Sequence, residues 1–118
     1  MGTLEDRLAW LDQAKEEVLE PERPIIDPHH HLWPGELHYL LSDFWKDTDD
    51  GHNIRKTVFI ECSQEYLSEG EESLRPIGET IFVRNIALEA KKEPEKAQIS
   101  GIVGHADLLS KNVPLILE

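Results

Sequence analysis

Cysteine is nearly missing from this chain: Cys62 is the single one among 118 residues. A lone thiol excludes an internal disulfide and suits a reducing compartment, so the expected location is cytoplasmic. Long apolar runs are missing as well. No window approaches the roughly 20 apolar residues that a membrane-spanning helix needs. The opening residues Met1-Gly2-Thr3-Leu4-Glu5-Asp6-Arg7 carry early acids and lack the apolar stretch of a signal peptide. No membrane partner is expected. Positive charge is scarce: 12 Lys and Arg stand against 24 Asp and Glu, for a net charge of −12. Phosphate backbones are held by clustered Lys and Arg, so no nucleic acid is expected as a partner either.

What is present fits a folded α/β chain. At 39% hydrophobic and 31% charged residues, the composition is that of neither a disordered nor a membrane-embedded protein. The acids gather in three groups: Glu16, Glu17, Glu20 and Glu22; Asp47, Asp49 and Asp50; Glu65, Glu69, Glu71 and Glu72. Asp47 to Gly51 is too short for an EF-hand loop and lacks its downstream bidentate Glu. All three groups read as solvated loops or helix faces.

Three apolar, β-branched segments are expected as strands: Pro24 to Asp27, Lys56 to Cys62, and Gln98 to His105. Helical patterns lie between them, which predicts a parallel sheet with helices on both faces. Thr3 with Asp6 forms a capping-box pattern ahead of Leu4, Leu8, Leu11, Ala14 and Val18, predicting an N-terminal amphipathic helix that Pro21 ends. This helix and its linker make up residues 1–23. A short helix is expected over Tyr39 to Lys46. A longer crossover helix is expected over Pro76 to Lys92, with Ile77, Ile81, Ile86 and Leu88 among its apolar residues.

The chemistry concentrates in Asp27-Pro28-His29-His30-His31-Leu32-Trp33. In an extended strand, Asp27, His29, His31 and Trp33 share one face, and His30 points to the other, toward a packed helix. Two imidazoles side by side at a strand end can take one divalent metal at about 2.0–2.1 Å per bond. The alternative for them is a hydrogen-bond network between polar side chains. Asp27 either orients a histidine from behind or forms a turn before Pro28. Trp33 either walls a pocket or packs under the following loop.

This run is similar to the first-strand motif of the amidohydrolase superfamily. More narrowly, it resembles the amidohydrolase-related group that includes pyrone-dicarboxylate and sugar lactonases. Gly51-His52-Asn53-Ile54-Arg55-Lys56-Thr57-Val58-Phe59-Ile60-Glu61-Cys62 resembles that group's second strand and its approach. Arg75-Pro76-Ile77-Gly78-Glu79-Thr80 and Gly101-Ile102-Val103-Gly104-His105-Ala106-Asp107-Leu108 resemble its second helix and third strand. The likeness spans roughly residues 7–118.

The resemblance implies a (β/α)₈ TIM barrel with its site at the C-terminal strand ends. Such a barrel takes about 250 residues, so residues 24–118 would supply about its first three βα units, as an N-terminal portion. The implied activity is hydrolysis of a lactone or related C–O or C–N bond by activated water. A metal-dependent carboxy-lyase of the same broader family is an alternative, and so is an inactive fragment or interaction module. His29 and His31 would hold a divalent metal such as zinc or manganese, or bind substrate without one. Glu61 and His105, at the next two strand ends, would touch a small lactone or carboxylated ring. The aspartate implied on the last strand has no counterpart here, so no catalytic residue is assigned within these residues. Cys62 reads as a buried filler; Asp107 either touches substrate from its strand end or caps the following helix, for which Ser110 offers a second cap. Glu79 reads as a charge favoured by a helix N-terminus. His38 and His52 are expected in solvated loops.

Overall fold

A computed structural model describes residues 2–118. The capping box forms as expected: the Thr3 N–H donates to Asp6 Oδ2 at 2.7 Å, and the Asp6 N–H donates to Thr3 Oγ1 at 3.1 Å. It starts helix α1, Leu4–Leu11. The apolar stripe predicted a helix running on to Val18, and that is wrong. None of the residues of α1 is buried, and a short helix without tertiary packing is marginal in water.

Strand β1, Pro24–His30, leads through a loop into helix α2, Leu41–Thr48. Strand β2, Asn53–Ile60, is followed by a long loop and helix α3, Ile77–Ala90. Strand β3, Gln98–Val103, and the short helix α4, Val113–Ile116, complete the order. The three strands form one parallel sheet in the order β1-β2-β3. The α/β class and the three parallel strands are therefore as the sequence predicts, with strand boundaries displaced by a few residues.

The sheet's two faces are unlike. Phe59 and Ile99 project from one face into a core with Leu32, Phe44 of α2, Val83 of α3 and Ala97. Trp45 ties α2 to the entry of β3 by donating its Nε1–H to the Ala97 carbonyl at 3.0 Å. The paired residues Ile26 and Lys56, and the pair Ile60 and Val103, lie on the opposite face. There Ile26 is 63% and Val103 47% exposed. Helices on both faces were expected; α2 and α3 instead share one core. Within α3, Val83 and Ala90 are buried, whereas Ile81 and Leu88 are 44% and 46% exposed.

Candidate functional site

A backbone irregularity builds the histidine pair. Asp27 pairs with Thr57 and His30 with Phe59, so three steps of β1 oppose two of β2. Pro28 has no N–H to give to the ladder, and the Asp27 carboxylate accepts the His29 N–H at 3.1 Å. The Asp27 carboxylate is thus engaged by backbone within the bulge. The bulge leaves His29 and His31 on one side, with ring centroids 5.0 Å apart and planes at 88°.

Their Nε2 atoms stand 3.3 Å apart. His31 Nδ1 lies 2.8 Å from the Ile60 carbonyl. A carbonyl only accepts, so His31 carries a proton on Nδ1, and in the neutral ring Nε2 is the nitrogen with the lone pair. Neutral His29 then donates its Nε2–H to that lone pair. In its other tautomer, His29 would present a second lone pair beside the first. The 3.3 Å separation matches the edge of a tetrahedron around zinc, about 3.3–3.4 Å for bonds of about 2.0–2.1 Å. The pair therefore fits two neighbouring positions on one cation. Among the described residues, no group of three or more His, Cys, Asp or Glu comes together to complete such a site.

His30 turns the other way, as the alternation predicts. It stacks on Phe44 at 4.8 Å, and its Nε2 shares a hydrogen bond of 3.0 Å with Thr57 Oγ1. Its Nδ1 is buried without a partner among the described residues. Burial lowers its pKa below the ordinary imidazole value, which keeps it neutral in the core. Trp33 lines a hollow of about 410 Å³ with His30, His31, Leu37 and Tyr39. It is held there by paired backbone hydrogen bonds of 2.8 Å to Tyr39. The Tyr39 hydroxyl donates to Asp47 at 2.6 Å. Burial and that carboxylate raise the phenol's pKa, so Tyr39 stays protonated.

The next two strand ends bring together the other two predicted residues. His105 Nδ1 lies 3.4 Å from Glu61 Oε2, both side chains partly exposed. His105 also lines a cleft of about 880 Å³ with Tyr66, Arg75, Asp107 and Asn112 among its walls. Asp107 and Ser110 do not cap α4, which starts after Asn112 without a side-chain cap; they accept the N–H groups of Leu109 and Asn112 in the turns before it. His38 and His52 are exposed.

Sequence reasoning missed the depth of Glu79. It is 2% exposed. It accepts the Cys62 N–H at 3.2 Å and the Gln64 N–H at 2.5 Å. It sits in the first turn of α3, where a helix dipole favours it, but its direct partners are amides of the loop after β2. The signal available was Gly78-Glu79 beside Pro76 at a helix start; its spacing does not say which way the carboxylate turns. Cys62, packed beside Glu79, has its thiol pushed up to about 11 by burial and then by that carboxylate. A filler role suits it better than a nucleophile.

No family model matches the chain, and no solved structure matches it. Over 109 residues it is 32% identical to the uncharacterized protein y4mH of Sinorhizobium fredii (strain NBRC 101917 / NGR234), a match covering 80% of this chain and 35% of that protein. The chain therefore spans well under half the length of the relative it matches.

Proposed function

We propose that this chain is the N-terminal part of an amidohydrolase-related hydrolase that opens a lactone, or a related C–O or C–N bond, with activated water. One observation carries the reading. Two imidazole Nε2 atoms stand 3.3 Å apart at a parallel strand end, with one tautomer set by the neighbouring strand. Such a pair suits a divalent cation, zinc or manganese among the candidates. A bound cation of this kind polarises a carbonyl and lowers the pKa of water. His29 and His31 would supply two of its ligands, and later strands the rest. Glu61 and His105, on the adjacent strand ends, would position the substrate. The exposed apolar sheet face is consistent with the inner wall of a TIM barrel, which further strands would close.

The test is a titration of the chain with cobalt(II), followed by its visible absorption. A saturable spectrum that His29→Ala and His31→Ala each abolish is expected. Unchanged spectra in both variants, or none in the parent, would sink the metal-dependent form of the reading. A second reading, an interaction module without catalysis, is favoured by the two edge strands and the exposed Ile26 and Val103. A saturable cobalt spectrum would weigh against that one.

A further inference from the structure

Glu79 is a buried carboxylate that this hydrolytic reading leaves idle. Ionised carboxylates are seldom buried without a cation beside them; this one is compensated by amide N–H groups instead. Three features converge on the same loop. Glu79 takes the Cys62 and Gln64 N–H groups. Gly78 allows the loop to touch the helix: a Cβ there would stand 2.3 Å from the Glu65 carbonyl oxygen and 2.7 Å from the Leu67 nitrogen. Ser63 and Glu65 both hold left-handed backbone, at φ 61° and 54°. Non-glycine residues hold that conformation only where surrounding contacts fix it.

The loop begins where the candidate site ends. The peptide joining Ile60 to Glu61 is bonded on both sides, its carbonyl by His31 Nδ1 at 2.8 Å and its N–H to the Val103 carbonyl at 2.9 Å. The next peptide carries the Cys62 N–H that Glu79 accepts. Glu61 is therefore flanked by two anchored peptides, and its carboxylate faces His105. We infer that Glu79 is a positioning residue, which clamps the end of β2 so that Ile60 holds His31 in one tautomer and Glu61 meets His105. Its relevance to catalysis rests on the hydrolase reading; the clamp itself does not.

Long-range proton–nitrogen NMR of the histidine rings in the ¹⁵N-labelled, metal-free chain tests this. In the parent, His31 is expected as a single tautomer protonated at Nδ1. Glu79→Gln turns an NH₂ toward the loop amides and should leave His31 averaged between tautomers, with far-UV dichroism unchanged. Glu79→Asp, which keeps the charge, should restore part of the bias. A folded Glu79→Gln chain whose His31 shifts match the parent's overturns the inference. Should that variant fail to fold, amide exchange in the parent decides. Protected Cys62 and Gln64 amides uphold the clamp; exchange as fast as that of Ser68 refutes it. A correct His31 tautomer with no cobalt binding would sink the metal-dependent reading and leave the clamp standing.

Discussion

Gly78 and Cys62 show how local surroundings reverse the usual expectation for a residue type. In an open helix, Gly to Ala gains about 1 kcal/mol. Here the added methyl would meet backbone at 2.3 Å, which cannot swing aside as a side chain would. Gly78→Ala is therefore expected to cost about 1–3 kcal/mol, read as a lower denaturant midpoint. The Cys62 thiol, pushed up to about 11, should be alkylated slowly by iodoacetamide. Its rate should still climb roughly tenfold between pH 9 and pH 10, where an ordinary thiol near 8.5 has nearly levelled off. A plateau by pH 9 would contradict the buried setting. Alternation separated His29 and His31 from His30, and they went where it put them. Asp27, expected on the face of the pair, lies with His30 on the Thr57–Phe59 side because the bulge sets three steps of β1 against two of β2. The Glu79 contacts were not, because they join a helix turn to a loop whose left-handed residues are not glycines.

At the scale of elements, sequence signals worked where burial supports them. The crossover before β3 ends within two residues of its expected limits, since Val83, Phe82, Ile86 and Ala87 all pack on the sheet. The N-terminal helix has an equally good stripe and stops early, because no surface receives its leucines. Periodicity reports an amphipathic face and is silent on whether anything covers it. The bulge at Pro28 was equally hidden, being a matter of register between two strands. One contact holds α2 in place more than its length suggests: the Trp45 indole on the Ala97 carbonyl. Trp45→Phe keeps an aromatic ring but removes the indole N–H and strands that carbonyl, at an expected cost of about 1–3 kcal/mol, measurable by urea unfolding.

The whole molecule is open for its size. Its accessible surface is 8999 Å², where a folded 13.6 kDa chain ordinarily exposes about 6,600 Å². Its radius of gyration is 17.1 Å, against about 13.5 Å for a compact 118-residue domain. The excess agrees with the bare face around Ile26 and Val103 and with the unpacked α1. Two edge strands beside exposed apolar side chains favour self-association, and the net charge of −12 opposes it. Sedimentation should therefore show a rising association constant as salt increases and screens the repulsion. An association that weakens with salt would mean that ion pairs, not the apolar face, hold the copies together.

The hydrogen bond from His31 to the Ile60 carbonyl also fixes an order of events in synthesis. The direct partners of the histidine pair lie within the first two strands, whereas the groups that anchor the end of β2, Val103 and Glu79, come from β3 and α3. A ribosome that has released residues through Ile60 has already delivered the partners, before β3 leaves the exit tunnel. Pairing of β1 with β2 can bring the rings together early, and the later arrival of α3 with Glu79 then fixes the tautomer that the pair keeps.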